Sequence, residues 1–461
     1  MIMIRARFVL LAMILAAGGI SNARAADSVA AKPIGRPNIV FILADDLGYG
    51  ELGCYGQKLI QTPRIDHMAA EGIRFTDCYA GCTVCAPSRC TLMTGLHTGH
   101  CRIRGNAQMP LVAQDVTVAK LLRQAGYSTG IIGKWGLGQP GSSGIPNRQG
   151  FDYWFGYLDQ VHAHNYYPDY LWRNEEKVLL PNVVEKGVAK KRVTYSPDLF
   201  ATEALDFVEQ HRDRPFFLYL ALTVPHANDE AGKNGMEVPN DKPYSDRDWP
   251  QVEKNKAAMI TRMDTDVGRL LDKLKALGLD ERTIVFFTSD NGPHHEGGAD
   301  PAFFHASGPL RGIKRVLYEG GIRVPMIARW PGRIAAGQVS DFVWAFWDFL
   351  PTAVELAGAH SPAGIDGVSV APVLVASSKD AAAPPHEFLY WEFHEGGFKQ
   401  AARMGRWKAV QTKLNRPLEL YDLHDDMGET TNVAVKHPEI VAEIESYLKR
   451  ARTDSPNWPI K

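Results

Sequence analysis

The sequence carries almost no net charge, with 51 Lys and Arg against 52 Asp and Glu for a formal balance of −1. Without a basic excess there is no general electrostatic pull toward nucleic acid or an anionic membrane. An anionic substrate would have to be captured by local charges. Repeats and long low-complexity segments are absent. Long apolar runs are nearly absent too. The one candidate, Phe8 to Ala17, follows Arg5 and Arg7 and precedes the small-x-small triplet Ala23-Arg24-Ala25. That order reads as a secretory signal peptide over residues 1–25. It is about half the roughly 20 residues a membrane span needs, so no span is expected in the mature form. No cysteine stands at the cleavage site, which disfavours a lipoprotein. The mature chain is expected to begin near Ala26, exported to a periplasmic or extracellular space. Cysteine is sparse, six in all and every one between Cys54 and Cys101. Clustered cysteines in an exported protein suggest disulfides. Cys82-x-x-Cys85 also has zinc-ligand spacing, but the second pair a zinc knuckle needs is missing.

What is present is ordinary for a soluble globular chain: 45% hydrophobic and 22% charged residues over 461 positions, enough for one large α/β domain and a smaller one. Continuous apolar runs at Pro37 to Leu43, Pro215 to Ala221 and Thr283 to Thr288 read as fully buried parallel strands. Ile73 to Tyr79 and Ser128 to Gly133 are further strand candidates. Helices are expected from Thr62-Pro63 to Gly72, over Val116 to Ala125 and over about Val252 to Leu277. Strands alternating with helices imply a large, mostly parallel sheet covered on both faces. After Pro384 the pattern changes to short strands at Phe388 to Phe393, Ala401 to Met404 and Trp407 to Gln411, then a final helix over about Pro438 to Arg450. The expected division is a catalytic domain over 26–384 and a small α+β subdomain over 385–461.

Two pairs of side chains follow directly on buried strands, Asp45-Asp46 and Asp290-Asn291. Ligands of an open parallel sheet bind at the carboxyl ends of its strands, so both pairs should face one crevice. Four oxygen-bearing side chains, three of them acidic, suit a hard cation such as Ca²⁺ or Mg²⁺. Either pair alone would more often cap a helix or turn.

Cys85-Ala86-Pro87-Ser88-Arg89 resembles the C-x-P-S-R signature of the type I sulfatases, of the alkaline-phosphatase-like superfamily. In that family the cysteine is oxidised to formylglycine by a maturation enzyme. The resemblance implies a sulfuric ester hydrolase whose nucleophile is made from Cys85, itself also a metal ligand alongside Asp45, Asp46, Asp290 and Asn291. Pro87 and Ser88 would start a helix whose N-terminus faces the sulfate, and Arg89 would pair with the diol or a metal-bound carboxylate. Gly133 to Gly138 (GKWGLG) resembles the family's G-K-W-H-L-G element, giving Lys134 a contact to the formylglycine oxygen or sulfate. Here Gly136 stands where many members have a histidine, and nothing in the sequence names its replacement. Val224-Pro225-His226 matches the element whose histidine protonates the leaving alcohol, a role that suits an imidazole of pKa about 6.5. Leu310 to Lys314 and Tyr318 to Pro325 resemble the second signature, with Lys314 as the sulfate-binding lysine. Leu420 to Leu423 is similar to the family's small domain.

Outside those motifs, the aromatic stretch His162 to Tyr167 puts His164 forward as a substrate contact in a loop, though it could equally be packed by its own aromatics. His294 follows the Asp290 pair and would line the same crevice. Gly136-x-Gly138-x-x-Gly141 satisfies a dinucleotide fingerprint, but Gln139 to Gly144 would not open the helix that fingerprint needs. The implied substrate is a sulfated small molecule or glycan, with galactose or N-acetylgalactosamine sulfate as the specific expectation. Two other readings stay open: a phosphodiesterase or phosphonate hydrolase of the same superfamily, and a non-catalytic binder of sulfated glycans.

Overall fold

The computed structural model describes residues 35–375 and 383–460. The expected signal peptide lies outside them. Residues 36–461 fall into one compact unit. In chain order its strands are β1 (Asn38–Ala44), β2 (Ile73–Tyr79), β3 (Ser128–Lys134), β4 (Tyr153–Tyr157), β5 (Tyr170–Arg173), β6 (Glu176–Leu179), β7 (Val183–Glu185), β8 (Val188–Lys191), β9 (Phe216–Ala221), β10 (Thr283–Ser289), β11 (Arg323–Arg329), β12 (Gln338–Ser340), β13 (Trp344–Ala345), β14 (Leu389–Phe393), β15 (Lys399–Met404), β16 (Trp407–Gln411) and β17 (Glu419–Asp422). The helices are α1 (Pro63–Ala70), α2 (Cys85–Thr94), α3 (Val118–Gln124), α4 (Ser196–Gln210), α5 (Gln251–Ala276), α6 (Glu319–Ile322), α7 (Phe349–Leu356), α8 (Ala371–Val375) and α9 (Pro438–Leu448).

Eleven strands form the main sheet, in the order β12-β2-β11-β10-β1-β9-β3-β4-β5-β6 with β13 beside β2. Its centre is parallel: β1 pairs with β10 and β9, and β3 with β9 and β4. Antiparallel pairing enters at β11 and at β5 and β6. The apolar runs of β1 and β10 are continuous because both sides are buried. Along β1, Val40 and Ile42 join one core with Phe200 and Phe207 of α4 and Ile260 of α5. Ile39, Phe41 and Leu43 face the other, with Leu122 of α3 and Phe349 of α7. This is the expected α/β sandwich.

Two expectations change in detail. α2 begins at Cys85 rather than at Pro87 or Ser88, with Val84 as its extended N-cap. The cysteines are all free, so the expected disulfides are not formed. Five of the thiols are buried, with Cys90 and Cys101 side by side, and Cys82 donates to the Glu392 carbonyl and Cys101 to the Ile103 carbonyl.

The second sheet, β14-β15-β16-β17, is antiparallel and packs with α9. Its other face joins Tyr79, Cys82 and Val84, the segment leading into α2. Trp391 Nε1 donates to the Ala80 carbonyl at 2.9 Å. Beneath lies a buried ionic network: Lys408 Nζ is 2.8 Å from Glu319 and 3.1 Å from Glu429. Burial favours a neutral Glu319, but Lys408, Arg323 and Arg403 outweigh it and hold it at about 2. Replacing Lys408 with Met would remove the buried cation that Glu319 and Glu429 share, leaving Glu319 to Arg323. Lys408→Met should lower the unfolding free energy by about 3–5 kcal/mol, read as the urea midpoint and slope. An unchanged midpoint would show that the network does not tie the two sheets together.

Candidate functional site

The carboxyl ends of β1, β10, β3 and β9 meet in one crevice, and each delivers a charged or polar side chain. Asp45 and Asp46 follow β1, Asp290 and Asn291 follow β10, Lys134 ends β3, and His226 lies five residues past β9. All six are buried. α2 enters from the side with Cys85 in its first turn and Arg89 one turn later. Asp46 has φ of 65°, a left-handed conformation uncommon for a residue with a side chain, and such strain persists where the surroundings dictate it.

Ion pairs define the geometry. Arg89 places two nitrogens on Asp290 Oδ2, at 3.1 and 2.8 Å, and its Nη2 is 3.4 Å from Asp45. Lys134 Nζ is 2.7 Å from Asp45 Oδ2, and Lys314 Nζ is 2.8 Å from Asp46 Oδ2. The Cys85 thiol donates to Asp45 Oδ1 at 3.3 Å. Burial opposes the charge on Asp45, but Lys134 and Arg89 prevail and hold it well below the usual carboxylate range. Asp290 goes the other way, because burial and the neighbouring Asp45 push it up to about 7. Burial and the Asp45 carboxylate also push the Cys85 thiol up, so it stays protonated.

His226 Nδ1 donates to the Ala227 carbonyl at 2.6 Å, which turns Nε2 inward as an acceptor from Lys314 Nζ at 3.2 Å. Burial and Lys314 lower its proton affinity. Lys314 also meets Glu296 at 3.0 Å. Asp45, Asp46, Cys85 and His226 form a buried group whose ligand atoms lie within 4.8 Å of one another. Asp45-Asp46, Asp290-Asn291, Cys85 to Arg89, Lys134, His226 and Lys314 are thus brought together at this centre, whereas Leu420 to Leu423 lies at β17 of the second sheet and does not reach it.

The comparisons agree with the chemistry of such a site. A family model described as "Sulfatase" matches residues 37–359. The chain belongs to the sulfatase family. It is a sulfuric ester hydrolase. A second model, "N-sulphoglucosamine sulphohydrolase, C-terminal", matches residues 313–454. Human arylsulfatase A is 32% identical, over 94% of this chain and 90% of its own. Mouse N-acetylgalactosamine-6-sulfatase is 32% identical, over 88% and 79%. The solved structure of Ps i-CgsB in complex with k-i-k-neocarrahexaose aligns with a TM-score of 0.79 at 29% identity, covering 93% of this chain and 95% of that one.

The residues present fit the divalent cation that sulfatases use. Their donors are hard oxygens converging from two strand ends. Asn291 Oδ1 is buried with no hydrogen-bond partner among the described residues, while its Nδ2 donates to Asp46 Oδ1 at 2.7 Å. Asp290 keeps acceptor capacity on Oδ1, which takes only the Asp46 amide.

His164 does reach the site. Its ring stacks on His226 at 4.8 Å, and Nδ1 meets Glu230 at 3.1 Å. The stretch is a single 3-10 turn, His162–His164, rather than an irregular loop. His294 lies against the site, with a ring nitrogen within 4.8 Å of Asp46 and Glu296 and its ring stacked 6.1 Å from that of His226. It is fully buried, with Nε2 donating to the Pro225 carbonyl at 3.1 Å and Nδ1 accepting the Glu296 amide at 3.0 Å. With both ring nitrogens occupied it is a strut under the loop that carries His226. Asn106 was missed from the sequence. Asn106 Oδ1 accepts the Ala86 amide at 3.0 Å, beside Cys85, and no spacing signal links the two.

Unfolded in denaturant without reductant, protein retaining all its cysteines should titrate six thiols, and the native protein far fewer, since only Cys54 is part-exposed. Fewer than six in denaturant would reinstate the disulfides.

Proposed function

We propose that the protein is an exported sulfatase acting on sulfated carbohydrates, with formylglycine made from Cys85 and Ca²⁺ (or Mg²⁺) as cofactors. The observation that carries this reading is the position of Cys85: at the start of α2, 3.3 Å from Asp45, and ringed by Arg89, Lys134 and Lys314. The resemblance of residues 85–89 to the sulfatase signature supports the maturation step, which requires a formylglycine-generating enzyme as partner.

Asp45, Asp46, Asp290, Asn291 and residue 85 would hold the cation, which when bound offsets the charge of the sulfate oxygens. The hydrated aldehyde supplies one hydroxyl to attack sulfur and a second to release it. Asp290 would take a proton from that hydroxyl. Arg89 locks Asp290 in position. Lys134 and Lys314 stabilise the charge that builds on the transferring group. His226 gives a proton to the departing alcohol, and its lowered proton affinity makes its protonated form a strong donor. Lys314 Nζ, hydrogen-bonded to Nε2, fixes the direction in which that nitrogen points.

His164 has Nδ1 fixed by Glu230, and its ring borders the leaving-group side through His226. This supports a contact to a sugar hydroxyl. The names of the related N-acetylgalactosamine-6-sulfatase and of the neocarrahexaose complex favour a galactose-type sulfate. The N-terminal basic, apolar and small-residue order supports export. Among the described residues no helix is long and apolar enough to cross a membrane.

Three outcomes are expected. Peptide mass spectrometry of protein from a host with the maturation enzyme should find residue 85 about 18 Da lighter than cysteine, and Cys85→Ser should end multiple turnover. A parent mass at that peptide, or normal turnover in Cys85→Ser, would overturn the covalent scheme. His226→Ala should lose about 10²–10⁴-fold on a sugar sulfate and much less on an aryl sulfate with an acidic phenol; equal losses would remove the proton-donor role. Ca²⁺ should raise the melting midpoint of the parent and not of Asp45→Asn, whereas a similar rise in both would place the cation elsewhere.

A further inference from the structure

The sequence leaves one gap in the site, Gly136, where the family element that residues 133–138 resemble has a histidine in many members. The structure shows what fills it. Gly136 has φ of 75°, and a Cβ built there would lie 2.1 Å from Gln160 Nε2. The approach is set by the backbone: the Trp135 amide donates to the Tyr157 carbonyl at 2.9 Å and the Gly136 amide to that of Leu158 at 3.1 Å. These bonds lay the segment after β4 along the end of β3, two residues past Lys134. Trp135 is buried in the core and donates to the Gly144 carbonyl, while Lys134, the residue before it, meets Asp45. Gln160 Nε2 is itself buried and finds no acceptor among the described residues. A buried donor without a partner is rare in a folded chain unless a ligand completes it.

We propose that Gln160 is a donor of the reacting centre, its amide standing where a side chain at 136 would stand. It gives its N–H to an oxygen there, either of the bound sulfate group or of residue 85 once oxidised. The inference rests on the sulfatase reading above. It assigns to the turn after β4 a part in the chemistry that the strand-end motif of β3 does not supply in this chain.

The test compares parent, Gln160→Ala and Gln160→Glu, each matured and checked by mass at residue 85. Glutamate preserves the shape of the side chain and removes the donor, so a packing role would leave it active. Both variants should melt like the parent. Gln160→Ala should lose about 10²-fold in kcat/KM on an aryl sulfate, the scale of one lost oxyanion donor, and Gln160→Glu should lose more. Inhibition by inorganic sulfate separates the two acceptors: weakened in the variants, it assigns the sulfate oxygen, and unchanged, it assigns the oxygen on residue 85. Turnover of Gln160→Glu within about twofold of the parent would overturn the proposal. A matured parent with no sulfatase activity would instead sink the functional reading. The Gln160 role would then be decided by whether sulfate raises the melting midpoint of the parent and not of Gln160→Glu.

Discussion

Three carboxylates are forced together at the ends of two neighbouring strands, and the rest of the site is the cost of keeping them there. Asp45, Asp46 and Asp290 are all fully buried, and like charges this close cannot persist without compensation. Arg89, Lys134 and Lys314 supply it, one from a helix, one from a strand end and one from a distant loop. The parallel pairing of β1 with β10, in register from Asn38 to Ala44, decides that the two acidic tips arrive side by side. The same compensation gives the centre its chemistry. Each cation that neutralises a carboxylate is also aimed at the space an anion would enter.

The second sheet belongs to this centre although it contributes no side chain to it. Its apolar face holds Tyr79, Cys82 and Val84. Arg403 bonds Asp77 at the end of β2 at 2.9 Å. Glu319 ties the loop carrying Lys314 to Lys408 on β16. The entry into α2 is thus clamped from the side opposite the carboxylates, so the direction in which Cys85 points is fixed by contacts formed hundreds of residues later in the chain.

Much of this was legible in sequence because strand ends are local. β1 and β10 announce themselves as unbroken apolar runs, and the polar residues that follow them must lie at the sheet's carboxyl edge. The strand read as Ile73 to Tyr79 is the one observed. Other parts were hidden. α4 places Phe200, Ala204, Phe207 and Val208 at helical spacing, but a reading built on continuous runs passes over it, as it does over the short strands β4 to β6. His294 reads as a site residue because it follows Asn291 closely, and it lies against the site. Only the hydrogen bonds to both its ring nitrogens show that it faces the Pro225 loop. Gln160 and Asn106 carry no motif, since what places them is backbone pairing with remote segments.

Cys85 is 1% exposed, in the first turn of α2, and burial and Asp45 hold its thiol protonated. On the proposed reading, a maturation enzyme would therefore have to meet this side chain before the polypeptide closes over it.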